Sequence, residues 1–461
     1  MGPIPQRVHL VGIGGAHMSA IGRILLSWGH EVSGSDLRAS PVTEAMTALG
    51  ARVAIGPHRA GNIGGAELVV TTSAAIGDNE ELTEARNRGV PVIKRAEMVA
   101  RLMEGKAGVC VAGCHGKSTT SGLIAYLLAA AGRDPTYLIG AHVADLGSNA
   151  AAGSGPHVVV EADEYDRAFL SYHPNVGLVT NVEPDHLDYY KTYDAVKEAF
   201  AGFVANVRPG GTVVLCASNA DALALRQHVR PGVSIVTYAL GRRAEWRAGE
   251  AEDGPQGQSF NVYHHGEPFG RFAIALAGRH NVENALGAIV VVLGLGLTAE
   301  EIAAPLARYR GVGRRFERVG EVDGILVMDD YAHHPTEVEA LAAAARSRFP
   351  GRRIVALFQP HTYARTRYLL DGWKGCFRGF DKLYLLETYA AREPIADGMT
   401  AAQLAGEIAD PPPGYCETFE AAAETVAAAL RPGDVFFTVG AGDVDCVGPM
   451  VLERLRARSK R

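Results

Sequence analysis

The sequence predicts an α/β protein of three units, each built on a mostly parallel sheet. Three observations carry this. At roughly 150 residues per domain, 461 residues make about three domains. Short β-branched runs alternate with helical periodicity, as at Val8–Val11, Val32–Ser35, Leu68–Thr72 and Val109–Ala112, the rhythm of parallel sheets covered by helices on both faces. That rhythm breaks near Glu104–Ala107 and again near Arg308–Arg315, which sets the expected units at 1–104, 105–310 and 311–461.

In the first unit, strand Val8–Val11 runs into Gly12, Gly14 and Gly15, and Met18, Ile21, Ile24 and Leu25 then recur with helical spacing. Glycines let the backbone approach a pyrophosphate at a helix N-terminus, and Asp36, closing the second strand, is placed to meet a ribose or base. His17 stands at the third glycine of the dinucleotide fingerprint, which weakens an NAD reading and leaves a purely structural turn as the alternative.

The second unit opens with a stronger signal. Strand Gly108–Ala112 leads into Gly113-Cys114-His115-Gly116-Lys117-Ser118-Thr119-Thr120, followed by Leu123, Ile124, Leu127 and Leu128 on one helical face. Strand, loop and helix come in P-loop order. Backbone N–H groups are expected to cradle phosphate, Lys117 to neutralise its outer oxygens and the Ser118 hydroxyl to ligate Mg2+. Two later strands end in polar residues: Val158–Val160 before Glu161-Ala162-Asp163-Glu164, and Gly177–Thr180 before Asn181, Glu183, Asp185 and His186. Hard oxygens at such strand ends suit Mg2+ bridging ATP phosphates, and a histidine supplements them. Cys114 lies beside the helix start with Lys117 three residues on, both favouring thiolate; a small apolar filler facing the sheet is the alternative. Polar Gly241–Gln258 resists the pattern, and the run after it, with His264-His265-Gly266, reads as a β-hairpin.

In the third unit, strand Ile325–Met328 precedes Asp329-Asp330-Tyr331-Ala332-His333-His334-Pro335, and Pro335 fits a first helical turn. Strand Ile354–Phe358 precedes Gln359-Pro360-His361-Thr362-Tyr363-Ala364-Arg365. Two strand ends, expected to be neighbours, thus present histidines and an arginine whose fork suits a small carboxylate.

Composition limits the partners. Lys plus Arg number 45 against 51 Asp plus Glu, net −6, so there is no bulk basic field for nucleic acid or anionic lipid. With 47% hydrophobic and 21% charged residues, fibrous and disordered classes are excluded. Six cysteines without metal or redox spacing point to a reducing compartment. The apolar run Leu286–Leu297 is too short to span a bilayer, and His17 and Arg23 interrupt the N-terminal apolar stretch. A cytoplasmic protein, monomeric or weakly dimeric, is the expectation.

In order along almost the whole chain, GCHGKSTT, EADEYD, NVEPDHLDYY, GRHNVENA, GVGRRFE, DDYAHHPTEV and FQPHTYART resemble the Mur ligases, ATP-dependent amino-acid ligases of peptidoglycan synthesis. The resemblance implies a Rossmann-like UDP-binding domain, a central P-loop-type ATPase domain and a C-terminal Rossmann-like domain. It implies that L-alanine is joined to the lactyl carboxylate of UDP-N-acetylmuramate, with ATP and Mg2+. By that likeness Gly12, Gly14, Gly15, Ser35, Asp36, Ser73 and Arg315 hold UDP-sugar. Gly113 to Thr119 hold ATP, with His280, Asn281 and Asn284 on the adenine side and Arg314, Arg315 and Asp330 reaching in from the third domain. Ser118, Glu161 and His186 match metal ligands, Lys117, Glu161, His186 and His333 are the candidate catalytic groups, and Tyr331, His333 and Arg365 resemble an L-alanine pocket. His17, Cys114 and Thr362 depart from common family residues. FQPHTYART favours the alanine enzyme over a relative that attaches a recycled tripeptide. A nicotinamide oxidoreductase leaves GCHGKSTT unexplained, and retained Lys117, Ser118, Glu161 and His186 argue against a non-catalytic UDP-sugar-binding regulator.

Overall fold

The computed structural model describes residues 2–72, 79–249, 251–254, 257–391, 393 and 398–459, and three α/β units with separate sheets follow one another along them. In the first sheet, all parallel, Arg7–Val11 is central, flanked by Glu31–Asp36 and Leu68–Thr71. Strand order reverses there, which opens a crevice where Gly12–Gly15 turns into helix Ala16–Ser27. Met18, Ile21, Ile24 and Leu25 are all buried beneath that helix; each such side chain contributes roughly 1.5–3 kcal/mol of burial.

The central sheet has eleven strands, parallel from Trp246–Ala248 through to Thr136–Val143 and closed by antiparallel strands at each edge. Strand Ala107–Ala112 lies between Val176–Val179 and His157–Glu161. The carboxyl ends of three adjacent strands therefore bring together the loop before helix Lys117–Ala130, the Glu161 segment and the Asn181–His186 segment. The predicted hairpin is present, Gly257–His264 pairing with Glu267–Ile274. The apolar run from Leu286 lies mostly in helix Arg279–Gly294, packed against Lys117–Ala130. Among the described residues no helix is long and apolar enough to cross a membrane.

The third sheet differs from expectation in one respect. Strands Ile325–Asp330 and Ile354–Phe358 are not neighbours, because Val435–Val439 is inserted between them. A parallel strand arriving from the far end of the chain cannot be read from the local pattern. Helix Pro335–Arg348 starts at Pro335 and buries Val338, Leu341 and Ala345.

Candidate active site

The first glycine turn is fastened by one side chain. Gly12 takes φ +76°, the Gly12 and Ile13 N–H groups both donate to the Ser35 carbonyl, and Gly14 N–H donates to Asp36 Oδ2 at 2.9 Å. A Cβ on Gly14 would stand 2.7 Å from that oxygen, so any other residue there would push Asp36 out of this bond. Gly12, Gly15 and Asp36 line a cavity of about 370 Å³ together with His17, His58 and Arg95. Ser35 is a correction to the expected site. It is fully buried, and its hydroxyl donates to Glu81 at 2.7 Å while accepting from His58 Nδ1, so it supports the floor of this cavity and meets nothing in it. Ser73 lies outside the described residues.

The second glycine turn is fastened by the neighbouring strand. Gly113 has φ +143°, and a Cβ there would lie 1.9 Å from Thr180 Oγ1. Asn181 accepts from His115 N–H at 2.8 Å and donates to His115 O at 3.0 Å. Gly116, at φ +79°, caps helix Lys117–Ala130, whose first turn presents Lys117 and Ser118. Lys117 Nζ sits 2.9 Å from the Glu164 carboxylate. Although burial opposes the charge, Glu164 holds the ammonium firmly ionised.

Carboxylates crowd round this lysine. Glu161, Asp163, Glu164 and Asp185 line one cavity of about 500 Å³ with Lys117 and His186. Glu161 is oriented by Gly140 N–H at 2.7 Å. Ligand atoms of Glu164, Asp185 and His186 all lie within 4.8 Å of one another. Such an excess of hard oxygens, with one imidazole, fits a divalent cation of the Mg2+ kind. The His186 backbone is held at φ +52°, a costly position for a non-glycine residue that directs its ring toward Glu164 and Asp185.

A smaller cavity of about 300 Å³ adjoins, lined by His115, Gly116, Thr119, His280, Asn281, Asn284 and Asp330, with Tyr238, Phe316 and Leu341 as apolar walls. Asn281 is fixed by donation to Ala277 O at 2.7 Å. Asp330 accepts from the Phe316 and Ala332 N–H groups, both at 2.8 Å, and burial pushes its carboxyl up to about 6.

From the third unit, Tyr331 and His333 reach the larger cavity. His333 Nδ1 lies 3.0 Å from Tyr331 O and 3.3 Å from Glu337. Both partners only accept, so Nδ1 carries the proton and Nε2 is left as an acceptor. Burial lowers this imidazole to about 3, which keeps it neutral at physiological pH.

Four expected roles change or widen. Arg314 braces the third unit, donating to Asp329 at 3.0 Å and to the Gly440 and Gly442 carbonyls at 2.8 and 2.9 Å, while it also lines the cavity around Lys117. Arg315, expected both at the UDP-sugar and reaching the nucleotide, lines the last two cavities and not the first crevice, so only the first of those placements changes. Arg365 is nine-tenths buried, its Nη2 donating to Asp185 Oδ1 at 3.0 Å across the unit boundary and its Nη1 lying 3.1 Å from His361 Nδ1, so both ends of its fork meet protein groups and not an open alanine pocket. Although burial opposes ionisation, Arg365 and His186 hold Asp185 well below the usual carboxylate range. Cys114 is buried, and burial followed by Glu164 and Asp185 pushes its thiol well up, so the thiolate expectation fails.

Glu337 was passed over as a site group, and Glu164 and Asp185 were named only within their strand-end runs. Glu337 contacts His115 at 3.2 Å and both Arg315 and His333 at 3.3 Å. Its spacing of four from His333, at a helix start, was the available signal. Glu164 and Asp185 sit inside acidic runs that gave no means of ranking their members.

The three units match, in order, the Mur ligase family catalytic domain over residues 7–107, the Mur ligase middle domain over 111–292 and the Mur ligase glutamate ligase domain over 314–442. The chain belongs to the Mur ligase family. Among its relatives, a protein called UDP-N-acetylmuramate–L-alanine ligase from Anaeromyxobacter sp. is 43% identical over 98% of both chains, and one of the same name from Sorangium cellulosum is 44% identical over 98% of this chain and 97% of its own. The crystal structure of the UDP-N-acetylmuramate–alanine ligase of Thermotoga maritima superposes with a TM-score of 0.81 at 28% identity, covering 98% of this chain and 99% of that one. A murein peptide ligase of Psychrobacter arcticus, 22% identical, shares the fold at a TM-score of 0.74 over 98% of this chain and 99% of its own.

Proposed function

We propose that the chain is an ATP-dependent ligase that joins L-alanine to the lactyl carboxylate of UDP-N-acetylmuramate, with ADP and phosphate as the other products. One observation carries this reading: all three units line a single cavity, His17 from the first, Lys117, Glu161 and His186 from the second, and Tyr331 and His333 from the third. That cavity shares His17 with the crevice of the first unit and Gly116 and Arg315 with the smaller pocket. The names and full-length identities of the relatives support the same substrates.

Joining a carboxylate to an amine in water is uphill, so the carboxylate is first activated by phosphoryl transfer. Charge repulsion between carboxylate and γ-phosphate is the obstacle. Lys117 offsets it, Arg315 spans from the base pocket to the phosphate cavity, and the start of helix Lys117–Ala130 directs N–H groups at the same place. Ser118, Glu161 and His186, with Glu164 and Asp185 beside them, are the residues that would hold Mg2+. Bound there, the ion supplies further neutralisation of phosphate oxygens. The alanine amine then attacks the acyl phosphate. Neutral His333 lines the same cavity and offers the amine a hydrogen-bond acceptor; an imidazole lowered to about 3 is too weak a base to keep the proton that the amine loses, which passes to solvent.

The test is phosphate release from ATP in the presence of UDP-N-acetylmuramate and each amino acid in turn. L-alanine is expected to support turnover, with glycine and L-serine poorer and D-alanine nearly inert. One methyl group is worth only about 1 kcal/mol, so discrimination against glycine is modest. Equal turnover with a tripeptide would overturn the assignment.

A further inference from the structure

Outside the three cavities the structure gathers two histidines and a glutamate on the edge hairpin of the central sheet. His265 and Gly266 form the two-residue turn between Gly257–His264 and Glu267–Ile274, with φ +51° and +91°. In an extended strand, consecutive side chains point to opposite faces. The left-handed turn cancels that alternation and returns the His265 ring to the side of His264, with ring centroids 4.4 Å apart. Glu245 is bound to the same turn, its carbonyl accepting from His265 N–H at 2.8 Å and its own N–H donating to Thr237 Oγ1 at 3.1 Å. Trp246 stacks on His264 at 4.0 Å and 17°, which restricts that imidazole.

Both Nε2 atoms face one carboxylate oxygen, His264 at 3.5 Å and His265 at 3.8 Å from Glu245 Oε1. These gaps are too long for direct N–H···O bonds. They approach the edge of about 3.3 Å between two ligands of a tetrahedral ion with bonds of about 2.0–2.1 Å. All three ligand atoms lie within 4.8 Å of one another, and none of the three residues lines the active-site cavities. We propose that Glu245, His264 and His265 form a surface site for one divalent transition-metal ion of the zinc or nickel class, with water completing its shell. Two imidazoles and one carboxylate suit such an ion and disfavour Mg2+, so the site is chemically distinct from the oxygen-rich cluster around Lys117. A bound ion ties the segment after Ser234–Leu240 to the hairpin tip.

The experiment titrates zinc, in competition with a chromophoric chelator, into the chelator-stripped full chain and into Glu245→Gln, His264→Ala, His265→Ala and the triple variant. The expected result is a micromolar equivalent of zinc present in the wild type and missing from the triple variant, each single change weakening it by about tenfold or more. Ligase turnover in Mg2+ stays unchanged. An anomalous difference map from zinc-soaked wild-type crystals shows a peak between the three side chains. Unaltered zinc stoichiometry and affinity in the triple variant, or a map with no peak there, would overturn the proposal.

Discussion

The two glycine turns use the same backbone and do opposite things with charge. Each follows a parallel strand and opens a helix, and in each a Cβ on one glycine would strike a neighbour, Asp36 at Gly14 and Thr180 at Gly113. At the first turn Asp36 accepts from the turn itself, and the cavity beyond holds His17, His58 and Arg95. At the second, the loop is secured by Thr180 and Asn181 and by Lys117, whose ammonium donates to the Gly113 and Cys114 carbonyls and to Glu164 in a cavity lined by four carboxylates. A strand–glycine–helix turn therefore supplies an anion site, and the side chains of adjacent strand ends decide whether that site holds a ligand or reacts with it.

The largest expected effect comes from erasing this difference. Lys117→Ala removes the ammonium proposed to face the transferring phosphate, so kcat should fall by about a hundredfold or more while UDP-N-acetylmuramate still binds by calorimetry. Near-normal turnover would place phosphoryl transfer elsewhere. Arg365→Lys should lower kcat by about tenfold with the KM for L-alanine unchanged, because an ammonium cannot keep both the Asp185 and the His361 contacts that the planar fork makes. A selective rise in that KM would restore Arg365 to the alanine carboxylate. Asp36→Ala loosens only the first turn, and a rise of about tenfold in the KM for UDP-N-acetylmuramate, with that for ATP unmoved, is the expected signature in steady-state kinetics.

The smallest effect concerns closure of the third unit on the second. His115 lies between Glu183 and Glu337, each at 3.2 Å; burial opposes its charge, yet Glu337 and Glu183 raise it to about 9. A histidine raised above its unfolded value of about 6.5 contributes stability that is complete below that pH and is lost as pH rises through the folded value. Thermal unfolding should thus show the wild type losing Tm between pH 6.5 and about 9 faster than His115→Gln. Parallel curves would remove His115 from the clamp.

Both turns were legible in the sequence because strand, glycines and helix are consecutive, and so were Glu161 and His186 at strand ends. Adjacent residues were where legibility stopped. Ser35 and Asp36 lie next to each other on a strand, where neighbours point to opposite faces, and only the second reaches the crevice. Arg314 and Arg315 both line the cavity around Lys117, but only Arg315 also reaches the smaller pocket, around a left-handed backbone at Arg314 that no local pattern announces. The Arg365–Asp185 pair joins positions 180 residues apart, and the strand between Ile325–Asp330 and Ile354–Phe358 comes from near the chain end. Such contacts are set by packing between units and leave no periodic trace. Cys114 was misjudged because helix start and lysine were weighed without the burial and the two carboxylates that outweigh them.

Activation of the lactyl carboxylate in the shared cavity is tested most directly by labelling. UDP-N-acetylmuramate carrying heavy oxygen in both carboxylate positions is turned over with ATP and L-alanine, and the released phosphate is analysed by mass spectrometry. The bond broken when the amine attacks lies between carbonyl carbon and bridging oxygen, so each phosphate should carry one labelled atom and the new amide should keep the other. Unlabelled phosphate accompanied by normal amide formation would contradict activation by phosphoryl transfer in this cavity.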